Sequence, residues 1–118
     1  MKKSVFVIIV ACFGLGSCQH APESVPVAPE YREAHALAQA ACAGCHSVEP
    51  YGLSPNPAAP EFPRIANARG LTRDSLANWL TEAHNYPEQM DFYLDEEEVE
   101  TLSAYILTLR REDYHPPY

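Results

Sequence analysis

Cys42, Cys45 and His46 stand at positions i, i+3 and i+4 of the run Cys-Ala-Gly-Cys-His. On a helical turn these three side chains share one face. Two thiols at that spacing can add across the two vinyl groups of one porphyrin edge, and the same turn brings the imidazole of His46 under the iron. Cys-x-x-Cys-His is the attachment signature of c-type haem, and the chemistry needs all three residues. Three other chemistries use a Cys-x-x-Cys pair. A structural zinc site needs two further ligands; there is no second Cys pair, and His35, His84 and His115 lie at no familiar zinc spacing. A thioredoxin-like redox couple belongs near a βαβ pattern, and no strand-period segment is present. A simple disulfide in an exported protein is the third alternative. Haem attachment is the favoured reading.

The N-terminus points to export. Met1-Lys2-Lys3 is a basic start, Val5 to Leu15 is an apolar run, and Gly16 and Ser17 are small residues of the kind that precede a cleavage site. The run is too short to span a bilayer, which takes roughly 20 residues, so residues 1–17 read as a signal peptide. Leu15-Gly16-Ser17-Cys18 resembles the bacterial lipobox, in which the Cys is lipidated and becomes the mature N-terminus. An ordinary signal peptide that happens to contain Cys18 is the alternative. Residues 18–29 then form a lipidated N-terminus and a tether, with prolines at 22, 26 and 29 and no hydrophobic period. Such a segment is extended, at about 3.1 Å per residue.

Residues 30–111 read as one domain and residues 112–118 as a C-terminal tail. A core this small is marginal, and a buried porphyrin would supply the missing apolar bulk. The elements that must position the motif are helical. The first helix is expected to start near Pro29, since Pro suits the first helical position. It runs through Tyr31, Ala34, Leu37, Ala38 and Ala41 into Cys42. A second begins behind an N-cap at Thr72, with Leu71 on Leu76 as a staple and Leu76, Trp79, Leu80 and Ala83 as its apolar stripe. The last starts at Asp95, with Glu98 closing a capping box and Leu94 facing Val99. Its buried face is Val99, Leu102, Ile106 and Leu109, with Tyr105 beside it, and Arg110 and Arg111 end it as the macrodipole favours. Prolines at 55, 57, 60 and 63 make Ser47 to Gly70 loop-rich, with a short helix expected at 64–69 and Gly70 behind it. A second loop spans His84 to Leu94. Long loops in small domains usually carry function.

In this order the chain resembles a class I c-type cytochrome over nearly all of residues 30–111. The resemblance rests on Cys42-Ala43-Gly44-Cys45-His46 at the end of a helix, the step Pro60-Glu61-Phe62, the helix bearing Asn78-Trp79-Leu80, Met90 in a loop and the closing helix from Asp95. It implies an all-α fold, three main helices with short helical turns and long loops around one covalently bound haem c, and single-electron transfer as the activity. It implies His46 as proximal iron ligand and Met90 as distal ligand, with His84 as the rival in the same loop. The Pro60 carbonyl would accept a hydrogen bond from His46 Nδ1, the contact that orients a metal-bound imidazole. Trp79 is either a core residue or a contact of the haem propionates. Ala34 would let the first and last helices cross closely, with Tyr105 or Tyr31 at the contact. Asp91 follows Met90 where relatives often have Pro, and Ala34 stands where Gly is common. His35 and His115 are expected at the surface.

His/Met ligation leaves no open iron position, which suits an electron carrier rather than an enzyme and raises the potential relative to bis-His. A haem enzyme or gas sensor with a labile sixth ligand, and a fixed subunit of a membrane redox complex, are the alternatives. Without residues 1–17 the chain keeps six Arg and no Lys against sixteen Asp and Glu, a net charge of −10. That sign excludes nucleic acid as a partner. It implies redox partners that dock through a basic region, and the signal peptide and lipobox imply a location at the periplasmic side of a bacterial membrane.

Overall fold

Helices make up all the regular structure in residues 26–82 and 93–116, the parts of the chain that this computed structural model describes. A 3₁₀ turn at Pro29–Tyr31 precedes α1 (Arg32–Ala41), α2 (Phe62–Ala66), α3 (Arg73–Glu82) and α4 (Glu96–Thr108). The all-α architecture expected from the sequence is present, with no strand among the described residues. Cys18, His84, Met90 and the apolar run at 5–15 lie outside the described residues.

Helix α4 organises the rest and packs on α1, α2 and α3. Its start is fixed locally. Asp95 is extended, its Oδ1 accepts from the Glu98 N–H at 2.8 Å, and Glu98 Oε2 accepts from the Asp95 N–H at 2.9 Å. Both orphan donors are thereby satisfied. Val99, Leu102, Tyr105, Ile106 and Leu109 are all buried, as the sequence period requires. The facing side of α1 offers Ala34 and Ala38, both buried, whose short side chains allow a close crossing.

The N-terminal helix differs from expectation. It is divided into the 3₁₀ turn and α1, because neither start has a capping side chain and Tyr31 leaves the helical region at φ −108°, ψ 6°. Val27, expected in the tether, packs against the core. The second helix α3 is capped as expected: Thr72 Oγ1 accepts from the Ser75 N–H at 3.1 Å, and Ser75 Oγ accepts from the Thr72 N–H at 3.0 Å. Its stripe is only partly core, since Leu76 is buried while Trp79 is half exposed. Arg73 and Glu100 join α3 to α4 at 2.7 Å across a surface open to solvent.

Helix α2 lies earlier than expected, at 62–66 rather than 64–69. Glu61 is extended in front of it, and Pro63 fits the first turn, where its missing N–H costs nothing. Asn67 ends it by donating Nδ2 to Pro63 O at 2.7 Å. Gly70 belongs instead to a separate turn closed by the Leu71 N–H on Ala68 O. Its φ of +76° is the left-handed value that this third turn position favours.

Candidate functional site

The motif begins where α1 ends. The Cys42 and Ala43 N–H groups both donate to Ala38 O, at 2.9 and 3.1 Å. The Cys45 and His46 N–H groups then both donate to Cys42 O, at 3.1 and 2.9 Å. The backbone therefore makes one further helical turn, with Cys42, Cys45 and His46 together on it. Both cysteines are partly buried, and no disulfide joins them. Burial pushes the Cys42 thiol up to about 11, with the neighbouring Cys45 adding to the shift. A redox couple needs a thiolate at neutral pH, and this environment opposes one. Among the described residues no three His, Cys, Asp or Glu are grouped to hold a metal ion, so the zinc alternative finds no ligand set there.

His46 is oriented by one strong contact. Its Nδ1 lies 2.7 Å from Pro60 O. A carbonyl only accepts, so Nδ1 carries the proton and donates, and Nε2 keeps its lone pair for a metal. Phe62, buried in the core, packs at 5.8 Å between ring centroids and limits rotation of the imidazole.

The loop from Ser47 to Glu61 sets the height of that carbonyl. Its prolines at 50, 55, 57 and 60 have no N–H, and several of the remaining donors tie the loop down. The Asn56 N–H donates to Cys45 O at 3.1 Å, and the Phe62 N–H donates to Ser47 O at 2.9 Å. The Ala58 N–H donates to Asn56 Oδ1 at 2.9 Å, and the Ser47 N–H to Ser54 Oγ at 3.1 Å. The loop thus folds back on the motif from both of its ends.

Beyond Pro60 lies a cavity of about 490 Å³ whose wall includes Pro60, Ile65, Leu71, Leu76 and Trp79, with Arg64 as a cation at its side. Its size and apolar lining suit a bulky planar ligand with one polar end. Residues 31–110, more than half of the chain, match the cytochrome c family. The chain belongs to that family. The cofactor of this cytochrome is covalently attached haem c, and its chemistry is haem-based electron transfer. Searches of curated proteins and of solved structures return no significant match.

The structure brings Cys42, Cys45, His46 and Pro60 together. Trp79 stands apart from them on the cavity wall, half exposed, which corrects its reading as a core residue. The helix turns Leu76 inward, and Trp79, three residues on, falls at the edge of the buried face. His35 also differs from its expected surface position. Its Nε2 sits 2.7 Å from Glu49 Oε1, and its ring meets Tyr105 edge-on at 5.6 Å. His115 is exposed. Tyr105 takes the α1–α4 contact and donates its hydroxyl to Val48 O at 2.7 Å. Burial, and next the charge of Glu49, push its phenol up to about 12.

Sequence reasoning missed two cations. Arg110 does more than complement the end of α4: its Nε donates to Ala66 O at 2.8 Å and its Nη2 to Leu71 O at 3.0 Å, which pins both ends of the connection between α2 and α3 beside the cavity. Arg64 on the cavity wall carried no sequence signal beyond its place between two prolines and the Trp-bearing helix.

Proposed function

We propose that this cytochrome is a single-electron carrier with haem c attached through Cys42 and Cys45, His46 as proximal ligand and Met90 as distal ligand, held at the periplasmic face of a bacterial membrane by lipid on Cys18. The observation that carries the proximal assignment is the 2.7 Å contact of His46 Nδ1 with Pro60 O. It fixes the tautomer, aims Nε2 away from the loop and strengthens the imidazole as a donor. Haem iron supplies a one-electron couple whose potential its axial ligands and surroundings set. The chain's own residues do the rest. The helical turn presents both thiols and the imidazole together, the apolar wall from Pro60 to Trp79 keeps water away, and Arg64 and Trp79 offer N–H donors suited to carboxylates. Met90 is the single Met left once residues 1–17 are removed, so it alone can supply a thioether. With a net charge of −10 and no Lys, the mature chain suits a basic partner.

Expression in a host competent for c-type maturation tests this reading. A pyridine haemochrome spectrum and an intact mass with one haem added are expected, and Cys45→Ser or His46→Ala should leave little holoprotein. Normal yields of haem-loaded Cys42→Ser/Cys45→Ser protein would sink the attachment sites. The ferric protein should show a weak long-wavelength sulfur-to-iron band. Met90→Ala should abolish the band, lower the reduction potential and open the iron to added ligands. If His84→Ala does this in place of Met90→Ala, the distal assignment fails; an open sixth position in the wild type would favour an enzyme or sensor. Cys18→Ser should release the protein from membranes. Electron transfer with a basic partner should slow as salt rises.

A further inference from the structure

Tyr51 and Leu53 are large apolar residues left in water, 64 % and 63 % exposed, and they flank the tip of the loop that follows the haem motif. The tip is fixed rather than trailing. Gly52 between them holds φ +109°, which an L side chain rarely adopts. Ser47 Oγ donates to Tyr51 O at 3.4 Å, and the Arg111 guanidinium carbon lies 4.7 Å above the Tyr51 ring. An apolar pair presented on a rigid loop needs little ordering to be buried, and exposed apolar patches mark interaction surfaces.

The same side of the molecule is where the chain comes in from its N-terminus. A cavity of about 220 Å³ is lined by Pro26, Val27, Ala28 and Pro50 with Tyr105 and Leu109. A smaller one, about 100 Å³, joins Pro50 and Tyr51 to Arg111, Tyr114 and His115. Pro50 belongs to both, so the N-terminal segment, the Tyr51 tip and the C-terminal tail share one side. Cys18 stands eight residues before Pro26. At no more than about 3.6 Å per residue, a lipid there would keep this side within about 30 Å of the bilayer.

We propose that this side rests on the lipid surface, with Leu53 at the headgroup–acyl boundary, Tyr51 and Tyr114 at headgroup level, and Arg111 and His115 toward lipid phosphates. The proposal rests on the lipid anchor at Cys18 proposed above. Tyrosine favours the membrane–water interface, and Arg lays its stem along apolar surface while its head stays in the polar layer. One inserted leucine binds weakly by itself. It becomes effective because the anchor makes its encounter with the bilayer intramolecular. The neighbouring acids, Glu112 and Asp113, are exposed, with Asp113 3.9 Å from Arg111, and they lie at the aqueous rim of the contact. Neither Tyr51 nor Leu53 lines the cavity beside Pro60, so the contact fixes the orientation of the domain without covering that wall.

Spin-label accessibility tests the contact in lipidated holoprotein bound to vesicles of phosphatidylethanolamine and phosphatidylglycerol. Labels go at Leu53→Cys and, as control, at Glu97→Cys in the first turn of α4, the end opposite Leu109. The ratio of oxygen to nickel-chelate accessibility should be several-fold higher at 53 than at 97. Removing the Tyr51 side chain as well, with Tyr51→Ser, should reduce that difference while leaving the haem spectrum unchanged. Protein that floats with the vesicles but shows equal ratios at 53 and 97 overturns the contact and leaves the anchor standing. Protein that does not float overturns both. Protection of 53 in native membranes but not in pure lipid vesicles overturns the lipid assignment in favour of a protein partner.

Discussion

Helix α4 and the loop from Ser47 to Glu61 are held in opposite ways. The start of α4 is set within four residues by the reciprocal bonds of Asp95 and Glu98, and its register by an apolar face that recurs every three or four positions. The loop has little such local support. Its shape depends on Asn56 reaching Cys45, on Phe62 reaching Ser47, and on Tyr105 of α4 reaching Val48. The loop carries Pro60, which orients His46. The residue that sets the geometry of the site therefore sits where conformation is decided by distant parts of the chain. The difference teaches that the stability of α4 and the positioning of His46 are one cooperative property.

The largest test of that coupling is Ile106→Ala. Ile106 is 1 % exposed on the face of α4, and such truncations cost about 2–5 kcal/mol. Denaturant unfolding of the holoprotein should show that loss. Haem absorbance and far-ultraviolet circular dichroism should shift together. If the haem signal moves at lower denaturant than the helical signal, the loop is a separate unit and the coupling fails. A smaller effect is expected from Arg110→Ala, which removes the bonds to Ala66 O and Leu71 O. Charged hydrogen bonds contribute about 1.5–3 kcal/mol, and the exposure of Arg110 reduces this to about 1–2 kcal/mol. Arg110→Lys should recover only part of it, because one ammonium lacks the fork that reaches two carbonyls. Full recovery by Lys would show that charge alone matters there.

The same contrast explains what the sequence disclosed. The capping box at Asp95, the N-cap at Thr72 and the buried face of α4 are local patterns, and they were legible. The turn from Cys42 to His46 was legible because its chemistry demands one spacing. The position of α2 was not. Its start depends on an extended Glu61, and its end on Asn67, which receives the Arg111 N–H at 3.1 Å from the far end of the chain. His35 was misplaced for a similar reason: Glu49, fourteen residues on, and Tyr105 of α4 draw it in. A residue with long-range partners leaves no periodic signature.

Tyr105→Phe removes the single hydroxyl that joins the two regions and gives the smallest, most specific test. At neutral pH the variant leaves Val48 O without that donor and should lose about 0.5–1.5 kcal/mol. The pH dependence identifies the cause. Burial, then the charge of Glu49, raise the phenol to about 12 in the folded protein, from an ordinary value of 10. Below pH 10 the phenol is protonated in both folded and unfolded chains, and the contribution is complete. Between pH 10 and 12 the unfolded chain gives up its proton while the folded chain keeps it, so the unfolded state gains and stability falls. The gap between wild type and Tyr105→Phe should be constant from pH 6 to 9 and shrink above pH 10. Adding Glu49→Gln removes one cause of the shift, so the gap should then shrink less above pH 10 and level off at lower pH. A gap that stays constant through pH 11 would mean that Tyr105 acts through packing alone, and that α4 and the loop are joined by something other than this bond.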